Sequence, residues 1–343
     1  MRHPTRRGAL GAVLPSLCFL FCAPVGACAL PGDAPAWERL SAPPPPERWG
    51  HVAALDAARD RMLVFGGDQR GGQRADVWAL DLESDVWARV ETGPGPAPVS
   101  DLAEILDVAR DRWIFVGGRR GLGRSIDEVW SLDLATNEWT QHAPGPSARH
   151  DVSGATDGSR AWVFGGAGAL AQSQGDLWEL DLATMAWRVL PAPGDHPIAR
   201  TSYAWAFHEG FLYLHGGHDV ARAFSDTWRY DLAQERWERL EVEGGAAANA
   251  HTAHALDDAC GAMIMSGGDN LDGFVTGTSA VLALGAHPRM IRLPASALPT
   301  PRDHASLVLD PVRRRLVFYG GGALGEGLDT FEDAWAYPLG ACL

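Results

Sequence analysis

The chain has no lysine: all 29 of its cationic residues are arginine. A phosphate-cradling Walker loop requires a lysine, and so does a Schiff-base enzyme, so both are excluded. Cysteine is scarce, with five in 343 residues, which is no disulfide framework. No G-x-S-x-G elbow or triad spacing is present. Outside the N-terminus no segment carries a long 3.6-residue period, so the fold should be nearly all β. The arginines are outweighed by 43 acidic residues, for a net charge of −14. Such a surface repels phosphate backbones and anionic lipid, and nucleic acid is rejected as a partner.

What is present is a repeat. Glycine doublets recur about every fifty residues, at Gly66-Gly67, Gly117-Gly118, Gly165-Gly166, Gly216-Gly217, Gly267-Gly268 and Gly320-Gly321. Each closes a short apolar run such as RMLVFGG or FLYLHGG, which reads as a buried strand. After the first four doublets comes a phrase of the form DVWALDLESDVW, with tryptophans nine apart: Trp78/Trp87, Trp130/Trp139, Trp178/Trp187 and Trp228/Trp237. Alternation puts Trp78, Leu80 and Leu82 on one face. The aspartate that follows (Asp81, Asp133, Asp181, Asp231) should open a tight turn by accepting local backbone N–H bonds. A fixed period of this length means a repeat architecture.

The pattern resembles Kelch repeats over residues 35–343. The resemblance implies an all-β, six-bladed β-propeller at 30–343, each blade a radial four-stranded antiparallel sheet. Blades are expected near 48–90, 99–141, 149–190, 200–241, 249–293 and 302–343. The sixth unit reaches Trp335 and stops before a second tryptophan, while Trp37–Leu40 reads like the fourth strand at 237–240. Residues 36–41 should therefore complete the last blade and remove two open sheet edges. In blade 5, Leu282 and Gly285 stand where the other blades have Trp and Asp, so that blade is expected to be the weakest.

Residues 1–29 read as a targeting segment, with Arg2, Arg6 and Arg7 before an apolar stretch from Ala9 to Ala23. Val25-Gly26-Ala27-Cys28 resembles a bacterial lipobox and points to lipidation at Cys28; cleavage after Ala29 is the alternative. Thr5–Leu10 faintly resembles a twin-arginine signal, with Ala9 where a bulky apolar residue is usual. A periplasmic or outer-membrane lipoprotein follows, monomeric and touching membrane only through its anchor. Loss of residues 1–27 removes three arginines and no acid, so the charge becomes −17. Cys260 and Cys342 fall in turns on one face of adjacent blades. A disulfide between them needs an oxidising compartment, and the radial offset of the two turns argues against it.

In a repeat protein a residue found in every blade is scaffold, and a single site needs residues that occur once. Arg48, Arg149, Arg200 and Arg302 share one position at the start of the first strands, with Val99 and Asn249 in the other two blades. They either ring the channel mouth or bond neighbouring blades. His51, His150, His251, His254 and His304 cluster in the same strands, but strand parity sends them to opposite faces, so no metal site is expected. The loops after the glycine doublets vary most, and loops on rigid scaffolds carry binding. Blades 1 and 2 place Arg70, Arg74, Arg119, Arg120 and Arg124 there. Blades 5 and 6 place Asp269, Asp272, Glu326, Asp329, Glu332 and Asp333. His215 and His218-Asp219 in blade 4 are the best lone candidates for acid–base work.

Galactose-oxidase-like copper chemistry would need Tyr and His ligands and a cysteine in the middle blades, where there is none. The repeated S-x-D-x-G-x-x-W boxes of sialidases are absent. The reading is an extracytoplasmic binding module with no cofactor and no catalytic residue assigned, holding a protein partner of the cell envelope through its variable loops. The alternative is a carbohydrate-active propeller, mutarotase or lectin-like, that binds a glycan through the arginine ring. For the anchor, Cys28→Ala is expected to move the protein out of the membrane fraction. An intact mass that begins after Ala29 would mean no anchor exists.

Overall fold

A computed structural model describes residues 35–121, 123–245, 248–271, 275–293, 300–324 and 328–342. The targeting segment with Cys28 lies outside these residues, as do Asp272 and Glu326. Among the described residues there are six four-stranded antiparallel sheets, the blades of a six-bladed propeller. Blade 1 runs outward through Val52–Asp56, Arg61–Phe65, Val77–Asp81 and Val86–Val90. Blades 2 to 5 repeat this order, from innermost strands at Ala103–Asp107, Gly154–Thr156, Ala204–His208 and Ala253–Asp257.

The second strands are buried because neighbouring blades cover both of their faces. Met62 to Phe65 and Leu212 to Leu214 are at most 1% exposed. In the third strand of blade 1 the two faces enter different cores. Val77 and Ala79 join the apolar cluster shared with blade 2. Trp78, Leu80 and Leu82 join the one shared with blade 6, as alternation predicts. Each turn aspartate accepts the N–H three residues on: Ser84 at 2.7 Å, Thr136 at 2.7 Å, Thr184 at 2.8 Å and Gln234 at 2.9 Å.

The glycine doublets make the joint between blades. The second glycine donates its N–H to the residue that opens the next blade, as in Gly67 to Val99, Gly118 to Arg149, Gly166 to Arg200 and Gly321 to Arg48, all at 2.8–2.9 Å. The first glycine must lack a side chain. A Cβ on Gly117 would lie 2.5 Å from the Arg149 carbonyl oxygen, and its φ is +67°. Only glycine combines that backbone with so close an approach.

The arginine that opens a blade then turns inward. Arg149 grips Asp176 with two bonds of 3.0 Å and the Gly165 carbonyl at 2.8 Å. Arg48 does the same with Asp76 and Gly66, Arg200 with Asp226 and Gly216, Arg302 with Asp333 and Gly320. In three blades a tryptophan indole N–H shares the carboxylate: Trp78, Trp178 and Trp228, at 2.6–2.8 Å. All four arginines are at most 1% exposed. They do not ring the channel mouth, because each guanidinium is spent on its own blade. Where the arginine is missing, its aspartate is missing too. Blade 2 has Val99 and Glu128, and blade 5 has Asn249 and Thr278.

Circular closure is present: Glu38 pairs with Ala336 and Arg39 with Trp335. Trp37 is 3% exposed and packs on Phe318 and Tyr337. Cys260 and Cys342 form a disulfide with their Cα atoms 5.2 Å apart, against the expectation from radial offset. The chain past the third strand of blade 6 (Ala334–Pro338) turns back over blade 5, where Arg314 also reaches Asp257 and the Gly340 carbonyl.

Arg149→Ala is expected to lower unfolding free energy by about 3 kcal/mol, since it strands a carboxylate and a carbonyl in a largely buried joint. The value belongs at the low end because the Asp176 side chain keeps 34% of its surface in solvent. Urea denaturation measures it, and an unchanged midpoint would mean that the joint holds without the arginine.

Candidate functional site at the channel mouth

Two residues beyond each blade-opening position the chain turns sharply. The residues there are Gly50, Asp101, Asp151, Ser202, His251 and His304, one per blade, with φ between 48° and 61°. Their backbones bond head to tail around the axis. Asp101 donates to Gly50, Asp151 to Asp101, Ser202 to Asp151, His251 to Ser202, His304 to His251 and Gly50 to His304, at 2.7–3.1 Å. Six N–H···O bonds thus close a ring at the mouth of the channel.

The histidines divide as strand parity predicts: the two that stand two past the opening, His251 and His304, meet at the ring, and His51 and His150 turn elsewhere. His251 and His304 stack with ring centroids 3.9 Å apart, and His218 lies 4.8 Å from His251. His51 turns into the seam with blade 6, bonding the Ser306 hydroxyl at 2.9 Å beside the Tyr319 ring, and His254 Nδ1 bonds the Thr252 carbonyl at 3.3 Å. Burial, with Arg48 nearby, lowers His51 to about 3, and burial also lowers His254. His150 bonds the Ser125 hydroxyl at 2.9 Å. His215 is not at the mouth; it bonds Thr227, and burial holds it near 4, so it is a neutral core residue.

The mouth opens on a cavity of about 160 Å³ lined by Gly50, Asp101, Glu104, Asp151, His251 and His304 among others. Drug-sized ligands need roughly 300 Å³ or more, so this space suits an ion, a few atoms or one side chain. Asp303 accepts from His304 Nδ1 at 3.0 Å. Burial opposes the charge on His304, but Asp303, Asp101 and Asp151 outweigh it and push the imidazole up to about 9. Asp101 is raised, first by burial and then by Asp151. Burial acts the same way on Asp151, but His251, His150, His304 and Arg119 bring it below the usual range.

The loops after the glycine doublets lie at this same end. Single bridges join Trp49 to Asp68, Ser100 to Arg119, His150 to Ala167, Thr201 to His218, Ala250 to Asp269 and Asp303 to Gly322. Arg119 therefore reaches the mouth, 2.8 Å from Asp101 and over the ring of Trp49. Arg120 pairs with Glu128. Arg74 bonds Gln69 and lies 3.9 Å from Asp76. Arg70 pairs with Asp329 of blade 6 at 3.2 Å, both exposed, and Arg124 is exposed. The basic and acidic loops thus meet across the closure, and Asp269 bonds His251 at 3.2 Å. The structure does not bring the nine arginines together: four lie within blades, and the five loop arginines turn largely to nearby carboxylates. Asp101 and Asp151 were missed in the sequence. Their signal is position alone, two residues past Val99 and Arg149.

A family model described as the KLHDC2/KLHL20/DRC7 Kelch-repeats domain matches residues 33–145 and 117–268, and the chain belongs to the Kelch-repeat family. It is 29% identical to acyl-CoA-binding domain-containing protein 5 of Arabidopsis thaliana over 68% of this chain and 38% of that protein. Acyl-CoA-binding domain-containing protein 4 of the same plant is 31% identical over 67% of this chain and 36% of its own length. Rab9 effector protein with kelch motifs of Gallus gallus is 31% identical over 38% of this chain and 35% of its own. The chain thus spans a little over a third of these relatives, which are plant and bird proteins and lend no support to a bacterial origin.

Glu104, inside the channel, is pushed up to about 7 by burial, although Trp113 donates to it at 2.9 Å. A carboxyl raised from its usual 4.5 favours the folded state most below that value, and the contribution is lost as pH rises through 7. Wild-type stability should therefore fall across this window by an amount that Glu104→Gln abolishes. Parallel pH–denaturation curves for the two proteins would show that Glu104 titrates normally.

Proposed function

We propose, with membership of the Kelch-repeat family as the premise, that this propeller is an exported binding module. It holds a protein partner on the face where the variable loops surround the channel mouth. The observation that carries this reading is at the loop tips of three consecutive blades. In the bridged loops 167–173, 218–223 and 269–275, Leu170, Val220 and Leu271 are 94%, 80% and 38% exposed. Leu170 and Leu271 are also held at φ 60° and 64°, a conformation unfavourable for a branched apolar residue. Exposed aliphatic tips beside a polar rim are what a protein interface uses. Leu170 and Val220 bury almost nothing in the propeller itself.

Export is supported by the Cys260–Cys342 disulfide, since such bonds persist in oxidising compartments. It is also supported by the arginine-then-apolar character of residues 1–29, and anchoring through Cys28 in a bacterial envelope belongs to the same proposal. The carbohydrate alternative loses its arginine ring, because those four side chains are buried in ion pairs.

Replacing Leu170, Val220 and Leu271 together with serine should leave the melting temperature unchanged, because little is buried. At about 1 kcal/mol per contact the triple variant should bind a partner captured from the native envelope more than tenfold more weakly. Equal affinity of the two proteins would refute the loop-tip interface. Binding to a glycan array, blocked by free sugar and untouched by the triple change, would establish the carbohydrate reading instead.

A further inference from the structure

The polar ring at the channel mouth offers something the protein-binding reading does not use. Asp101, Asp151 and His304 each present one ligand atom, and these atoms lie within 4.8 Å of one another. We propose that these three residues bind a divalent transition-metal ion, Zn²⁺ or Mn²⁺, at the mouth of the propeller. Two carboxylates and an imidazole are a hard-to-borderline donor set that suits those ions. Bonds near 2.1 Å place neighbouring ligand atoms roughly 3–4 Å apart, so a small inward movement of side chains completes the site. The open mouth leaves the remaining positions to water.

Three further observations point to a ligand. Asp101 is 8% exposed, and its Oδ1 is buried without a hydrogen-bond partner. Buried polar atoms are nearly always satisfied, and here the unused atom lies beside Gly50, at the cavity wall. Its other oxygen is already held by Arg119 and by the Ser100 hydroxyl at 2.9 Å. That is how a monodentate metal carboxylate is braced. Second, Asp303 binds His304 Nδ1, which fixes the ring and leaves Nε2 to coordinate once the ion displaces its proton to solvent, the carboxylate–histidine arrangement of metal sites. Third, Gly50 sits between His304 and Asp101 in the ring. A Cβ there would lie 2.1 Å from Asp101 Oδ1, so the missing side chain opens the space in which ligands from blades 6 and 2 meet. His251 stacks on the His304 ring, but its own nitrogens face Asp269 and His218.

The test is calorimetric titration of the untagged, chelator-treated full-length protein with ZnCl₂, and separately with MnCl₂ followed by electron paramagnetic resonance. One ion per chain is expected. Asp151→Asn and His304→Gln should weaken binding by more than tenfold. Asp303→Asn, which leaves all three ligands in place, should weaken it by about 10–100-fold. His218→Ala should bind as wild type does. Circular dichroism identifies any variant that fails to fold, and the wild-type titration stands without the variants. Absence of saturable one-to-one binding by both ions overturns the proposal. So does wild-type affinity in folded Asp151→Asn and His304→Gln, which would place the ion elsewhere.

Discussion

The joint between blades governs the rest of the molecule. At each doublet a glycine in left-handed conformation lets the next blade's backbone approach to hydrogen-bonding distance, and the following N–H bonds the carbonyl that opens that blade. A side chain at the first position would drive neighbouring blades apart. With the blades seated, the second strands become buried on both faces, which is why they are apolar throughout and not alternating. The arginine at the joint then ties its own blade together through an aspartate and a glycine carbonyl. Its charge is matched where it sits, which makes it tolerable in a nearly dry position.

The same joint sets the geometry of the channel mouth. Two residues past the opening position the backbone must turn from the seam into the innermost strand, and it does so through a left-handed residue in every blade. Six such turns bond head to tail into a closed ring. Blade identity therefore decides which side chains face the axis: one glycine, two aspartates, one serine and two histidines. Regular scaffold and singular site occupy the same structural position. A repeat protein builds a unique centre by varying one residue per unit while the backbone stays constant.

Around that centre the loops divide the labour. Those of blades 1, 2 and 6 spend their charges on one another, through Arg70–Asp329, Arg119–Asp101 and Arg120–Glu128. Those of blades 3, 4 and 5 present aliphatic tips. Exposed ion pairs add little free energy, so in the proposed interface the charged side would contribute orientation and association rate, and the apolar side contact area. Loops closed at the base by a backbone bridge lose little entropy on binding, which favours a rigid face.

Architecture was legible in the sequence because its causes are local and repeated. The doublets, the paired tryptophans and the turn aspartates each act within a few residues, and recurrence makes them readable. The completing strand at Trp37–Leu40 was legible from its likeness to 237–240. The roles of Arg48, Arg149, Arg200 and Arg302 were not, because an arginine at a strand start can face an axis or a seam. Only the placement of Asp76, Asp176, Asp226 and Asp333 decides between them. The convergence of Asp101, Asp151 and His304 was hidden for a related reason: they share one position, two past the blade opening, and only the left-handed turn there carries that position to the axis. The Cys260–Cys342 bond likewise depends on how the chain turns back over blade 5. Repeat number and the completing strand were legible in the amino-acid sequence, since each unit carries its own signals, and strand order came with the Kelch resemblance. Which side chains meet at the axis was decided by tertiary structure, because that meeting is made by residues fifty or more positions apart, brought together by the ring itself.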